Sequence, residues 1–183
     1  MTWHRFDKSG KWLIQHHGDA LIWLGGLRHV THWQAVQSEL VQPGQLPDGL
    51  LEVEVEGRRR RVPVILELAT KAEKRLTRQL RRDLMLVLLD RDEVPEVITL
   101  TLRREGKYEV PRTVKLRSRL GMSEMTVSWQ VVELWKLSAE EMLAANNVGL
   151  IPFVPLTRFD GPPEPLLRRC RERVEELAAP EMA

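Results

Sequence analysis

The chain has 183 residues, of which 43% are hydrophobic and 30% charged, with a formal net charge of +2. These values suit one domain with a true core and a small appendage, and they exclude a disordered or fibrous chain. The single Cys170 excludes an internal disulfide framework and a cysteine-rich zinc site. The opening MTWHRFDKSGKW lacks an apolar segment of signal type, and no apolar run reaches the length of a membrane span, about 18–20 residues. A cytoplasmic protein with no membrane partner is the expectation, and no repeat or low-complexity tract interrupts the chain.

In chain order, Gly10 to Gly26 reads as a helix of mixed character, with Trp12, Leu13, Leu21, Ile22, Trp23 and Leu24 as burial candidates and an interruption near Gly18-Asp19. Residues 29–42, with Trp33, Val36 and Leu40, read as a second helix or an irregular segment closed by Pro43-Gly44. From Pro47 to Lys71 the pattern changes. Leu51, Val53 and Val55 alternate with Glu52, Glu54 and Glu56, the period of a half-exposed strand. Glu56-Gly57 and the run Arg58 to Arg61 make a basic turn, and Val62 to Leu68 is a near-continuous apolar run, as in a strand buried on both faces.

Residues 71–90, KAEKRLTRQLRRDLMLVLLD, predict a helix capped by Thr70, with Ala72, Leu76, Leu80, Leu84, Val87 and Leu88 along one face. Lys71, Lys74, Arg75, Arg78, Arg81 and Arg82 crowd its first turns, a weak pointer to an anionic partner that also fits a solvated face. Strands follow at 96–103, 113–119 and 126–135, then a short helix over 138–145 with a Ser138–Glu141 capping box. Residues 146–165, holding Pro152, Pro155, Pro162 and Pro163, predict a rigid extended connection, and 164–178 a charged amphipathic helix. The order predicts an α/β fold: a mixed β-sheet flanked by helices over 1–145, then a Pro-rich connection and a C-terminal helical extension over 146–183.

Asp48 precedes the first strand of the hairpin and Glu67 lies near the end of the second, so folding brings two carboxylates to one sheet edge. That is the minimum for holding a hard divalent cation. Asp48 equally suits a Pro-Asp-Gly turn. Glu67, in an apolar strand, needs a partner or a cation to offset its burial. Glu52 and Glu54 fall on the solvated face of the hairpin or supply a third carboxylate, and Asp83, among arginines, reads as a surface ion-pair partner.

Side chains alternate across a strand, so Glu67, Ala69 and Lys71 share parity, and Lys71 reaches back toward Glu67 if the strand continues that far. Lys74 is the other cation for that place; both also read as solvated residues of the helix start. His16, His17, His29 and His32 lack the Cys or HExxH company of a zinc site. Arg58 to Arg61 read as a phosphate-backbone contact or a solvated tip. The tryptophans read as core. No glycine-rich phosphate loop, G-x-S-x-G elbow or Cys–His pair points to another enzyme class.

Asp48, two strands, Glu67 and a following helix together resemble the PD-(D/E)XK nuclease superfamily. More narrowly, the chain resembles the Rpn/YhgA-like family of transposases and recombination-promoting nucleases, in a form found in planctomycetes. The residues that carry this are Phe6-Asp7 with Lys11, Leu46-Pro47-Asp48-Gly49, Leu66-Glu67-Leu68-Ala69-Thr70, Arg82-Asp83-Leu84, Leu89-Asp90-Arg91, Pro95-Glu96-Val97, Val132-Glu133-Leu134-Trp135 and Gly149-Leu150-Ile151-Pro152. The motifs are short and spread over nearly the whole chain.

The resemblance implies a restriction-endonuclease-like fold and Mg²⁺-dependent (or Mn²⁺-dependent) hydrolysis of DNA phosphodiesters, tied to mobile elements or recombination. It assigns Asp48 and Glu67 as metal ligands, with the main-chain carbonyl of Ala69 as a further one. The lysine that such enzymes carry two residues after the glutamate orients the attacking water; here that place is Ala69, and Lys71 takes the catalytic role beside Asp48 and Glu67. The alternative is a nuclease-like fold that has lost catalysis and binds nucleic acid or a protein. A third reading makes helix 164–178 a docking element for a partner or for a second copy in a homodimer.

Overall fold

The hairpin formed by residues 47–71 lies at the middle of the sheet in the computed structural model, which describes residues 3–36, 47–57, 60–105, 107–119 and 121–177, the side chains of 3–8 and 36 excepted. Strands β2 (Gly49–Val55) and β3 (Val62–Lys71) pair antiparallel, from Gly49 opposite Leu66 to Val53 opposite Val62. Strand β1 (Val30–Val36) adds antiparallel to β2. Helix α2 (Lys74–Arg91) then carries the chain to β4 (Glu96–Arg103), parallel to β3, and β7 (Gln130–Glu133) lies parallel to β4. Among the described residues the sheet order is β1-β2-β3-β4-β7, with β5 (Thr113–Arg117) and β6 (Glu124–Ser128) in a separate two-stranded sheet. The class is α/β, a mixed sheet flanked by helices.

Strand parity divides the core. Val64, Leu66, Ile98, Leu100 and Val132 pack with Ile14, Leu21 and Ile22 of helix α1 (Trp3–Leu24) and with Leu150, Phe153, Val154 and Leu166. Leu50, Ile65, Val97 and Val131 pack with Leu76, Leu80, Leu84 and Val87 of α2, and with Val127 and Trp129. The α2 positions recur at three- and four-residue spacing, and burying each such side chain contributes roughly 1.5–3 kcal/mol. Helix α3 (Ala139–Ala144) starts at Ser138, whose Oγ accepts the Glu141 N–H at 3.5 Å. Helix α4 (Pro163–Leu177) turns Leu166 and Cys170 into the α1 side of the core and leaves Leu167 and Val174 outward.

One close approach fixes the start of β2. A Cβ on Gly49 would lie 2.2 Å from Cγ2 of Ile14, so α1 rests directly on the strand beside Asp48. Gly49→Ala is therefore expected to destabilise by about 1–3 kcal/mol through overpacking, read as a lower urea midpoint with an unchanged slope.

Four expectations are corrected. Residues 29–42 are not helical where described: Val30–Val36 is β1, with Trp33 opposite Val53. Val30, Thr31, Trp33 and Val36 favour a pleated surface, and the open edge of β2 outweighs their helix-like spacing. Leu40 and Pro43-Gly44 lie outside the described residues.

Thr70 is not a cap, because β3 runs on to Lys71 and the extended Glu73 precedes α2 without a side-chain cap bond. The stretch 126–135 is two strands in different sheets, broken at the buried Trp129, whose backbone N–H donates to the Arg112 carbonyl at 3.0 Å. The extended connection 146–165 is instead a 3₁₀ segment over Val148–Leu156, where Asn147 Oδ1 accepts the Gly149 N–H at 2.9 Å. Burying its apolar run against α1 outweighs the prolines, which short 3₁₀ turns tolerate. The interruption expected in α1 occurs at His17, with φ −136° and ψ 37°.

Candidate functional site

The β2–β3 ladder ends at Gly49 opposite Leu66, and one step further Asp48 and Glu67 meet. The Asp48 N–H donates to Glu67 Oε2 at 3.3 Å, and Asp48 Oδ2 accepts the Leu68 N–H at 3.0 Å. Each carboxylate is thus tied to the other residue's strand, which fixes both at one edge. Glu67 shares parity with Ile65, on the face that α2 covers, and is only 5% exposed. From that helix Gln79 Nε2 donates to Glu67 Oε1 at 2.5 Å.

Burial pushes the Glu67 carboxyl up to about 9, helped by the negative charge of Asp48 and then of Asp83, against the Asp48 backbone hydrogen bond that lowers it. The direction favours a proton held by the Asp48–Glu67 pair at neutral pH.

Asp83 belongs to the same environment. It was expected at the surface with an arginine, and the arginine is there: Arg82 Nε and a terminal nitrogen lie 2.9 and 2.8 Å from Oδ1. The surface placement is overturned, since Asp83 is fully buried and its Oδ2 has no hydrogen-bond partner among the described residues. The reason is helical phase, because position 83 falls among Leu76, Leu80, Leu84 and Val87 on the buried face. Burial raises the Asp83 carboxyl, Arg82 opposes this, and Asp48 adds to the rise. Thr99, opposite Glu67 on β4, likewise has a buried hydroxyl without a partner among the described residues.

The pair opens into a cleft of about 470 Å³ lined by Asp48, Glu67, Lys71, Arg75, Gln79 and Arg103. Strand β3 does reach Lys71, and Lys71 does line the cleft. Its ammonium, however, lies 3.4 Å from Glu73 and 3.8 Å from Glu105. The cation that α2 sends to the cleft is Arg75 rather than Lys74. Among the described residues no three His, Cys, Asp or Glu side chains gather as a metal-ligating group. A hard cation here would draw on the Asp48 and Glu67 oxygens, with water completing its shell. The donor chemistry fits such a cation: two hard carboxylates, one of them nearly buried, side by side at the cleft.

Other candidates lie elsewhere. Glu52 pairs with Arg91 at 2.6 Å and Glu54 with Arg61 at 2.9 Å, so both belong to surface pairs. That engages Arg61 on the hairpin face, while Arg58 and Arg59 lie outside the described residues. His16 stacks on Trp12 at 4.4 Å, and His29 sits 3.3 Å from Glu56. The expectation of core tryptophans holds for Trp129 and not for Trp12 or Trp23, which are both exposed.

Sequence reasoning missed Gln79 and Arg75 as parts of the site. Their signal was spacing: Arg75, Gln79 and Asp83 recur every fourth residue along α2, next to its apolar stripe. No family model, curated protein or solved structure matches this chain. No helix among the described residues is long and apolar enough to cross a membrane.

Proposed function

We propose that the protein is a Mg²⁺-dependent (or Mn²⁺-dependent) DNA endonuclease of the PD-(D/E)XK kind, with a restriction-endonuclease-like fold, acting in recombination or on mobile elements. The observation that carries this reading is the nearly buried Glu67 clasped to Asp48 at the end of the β2–β3 ladder, facing a cleft rimmed by Lys71, Arg75 and Arg103. The element order supports it as well: a helix, three antiparallel strands, a crossover helix and a parallel strand, with Asp48 immediately before the second strand and Glu67 on the third.

Asp48 and Glu67 would hold the cation, which when bound supplies a deprotonated water and neutralises phosphate charge. Gln79 and the Asp48 N–H fix the Glu67 carboxyl, so its orientation is set before any ligand arrives. Lys71, Arg75 and Arg103 offer positive charge to a phosphate in the cleft. Supercoiled plasmid incubated with Mg²⁺ or Mn²⁺ tests this: nicking or linearisation that vanishes in Asp48→Ala is expected. Intact plasmid with the parent protein would refute it.

A second reading is favoured by one specific observation, Ala69 in the usual lysine place with Lys71 engaged by Glu73 and Glu105. In that reading the fold is catalytically degenerate and binds nucleic acid, or a protein partner through α4. Plasmid retained on the protein without cleavage distinguishes it.

A further inference from the structure

A second cleft adjoins the acidic one. It measures about 570 Å³ and shares Arg103 and Glu105 with its neighbour. Its cations are the notable feature. Arg103, Arg104, Lys107 and Arg158 line it, all exposed, and their side chains have no ion-pair or hydrogen-bond partner among the described residues. The acids of the same wall are largely engaged: Glu133 lies 2.5 Å from Lys136 and Glu105 lies 3.8 Å from Lys71, which leaves the exposed Glu109.

A cluster of unpaired cations repels itself and is stabilised by a polyanion. Two aromatic rings, those of Tyr108 and Trp135, line the same cleft. Trp135 is half-buried on the 3₁₀ turn Leu134–Lys136, and Tyr108 is half-buried with its hydroxyl 2.7 Å from Thr77 Oγ1, which anchors the ring to α2. Cations for phosphates combined with ring faces for bases are the means of holding unpaired nucleotides, since the faces of paired bases are already stacked inside a duplex.

We propose that this groove is a track for single-stranded nucleic acid, running from Arg158 past Trp135 and Arg104 to Arg103 at the mouth of the acidic cleft. The substrate is then a strand with an unpaired segment beside the phosphate presented to Asp48 and Glu67. That last step rests on the nuclease reading; the track itself does not.

The test is fluorescence anisotropy with labelled oligothymidylate of about 12 nucleotides, within the range one such groove covers. It uses Glu67→Gln protein so that the strand stays intact, with Arg104→Glu/Arg158→Glu or Trp135→Ala added and folding checked by circular dichroism. Single strand is expected to bind more tightly than duplex of equal length. The double reversal is expected to weaken binding at least ~10-fold at low salt and to reduce its salt dependence. Trp135→Ala is expected to weaken it ~5- to 100-fold with the salt dependence kept. Arg104→Gln/Arg158→Gln gives a smaller loss of the same kind and serves if the reversal does not fold.

Tighter duplex binding, binding indifferent to both arginine pairs, or equal competition by polyglutamate overturns the track. Plasmid cleavage read in parallel separates the two ideas. Groove-dependent binding by a wild-type protein that never cuts sinks the nuclease reading and supports the track. Cutting with groove-independent binding does the reverse.

Discussion

Glu67→Gln is expected to raise the stability of the metal-free protein at pH 8 by on the order of 3–5 kcal/mol. Burial and the neighbouring Asp48 and Asp83 charges lift the Glu67 carboxyl from an ordinary 4.5 to about 9. Between those two values the folded state keeps a proton that the unfolded chain has released. The unfolded state therefore binds fewer protons, and stability falls as pH rises across the window. Asp83, raised for the same first reason of burial, adds a contribution of the same sign.

A glutamine side chain removes the titrating group: its oxygen can accept from Gln79 and its amide can donate to the Asp48 carboxylate, at the loss of the acceptor for the Asp48 N–H. Urea titrations in chelator at several pH values between 5 and 9 should show a falling stability for the parent and a flatter profile for Glu67→Gln. A parallel decline in both proteins would mean that Glu67 is not the group responsible.

Cleavage provides the second large effect. If Asp48 and Glu67 hold the ion that neutralises the scissile phosphate, losing either removes several kcal/mol of charge stabilisation, about 10²–10⁴-fold in rate at ~1.4 kcal/mol per tenfold. Asp48→Ala and Glu67→Gln should each show it in the plasmid assay. Glu67→Gln would then be the more stable protein and the less active one, a combination that unfolding cannot produce. Lys71→Ala should cost about 10²-fold if its ammonium leaves Glu73 and Glu105 for the substrate. Should Arg75→Ala carry that loss instead, the missing lysine has been replaced from α2. Undiminished cleavage in Asp48→Ala would remove the acidic pair from the mechanism.

The sequence made some of this readable and hid the rest for physical reasons. The β2–β3 hairpin was legible because Leu51, Val53 and Val55 alternate with glutamates up to a glycine turn, and α2 because Leu76, Leu80, Leu84 and Val87 repeat at helical spacing. Asp48 and Glu67 followed from that hairpin, since antiparallel pairing places its two ends side by side.

β1 was obscured because Trp33 and Val36 are three residues apart, a spacing that a strand and a helix both allow. The 3₁₀ segment over Val148–Leu156 was hidden by its prolines, whose local preference yields to burial against α1. Asp83 was placed at the surface and Gln79 was missed because polar residues beside arginines read as solvated, while their phase along α2 turns them inward. Burial of polar groups is where local pattern fails and where function concentrates.

The most direct measurement is calorimetric titration of Mn²⁺ into the protein at pH 7, in two buffers of different ionisation enthalpy. A cation held between Asp48 and the buried Glu67 must displace the Glu67 proton, so one ion per chain is expected to bind with release of about one proton. Glu67→Gln should lose that proton release and most of the affinity. Binding of equal strength in parent, Asp48→Ala and Glu67→Gln, with no proton released, would contradict a metal site at this pair.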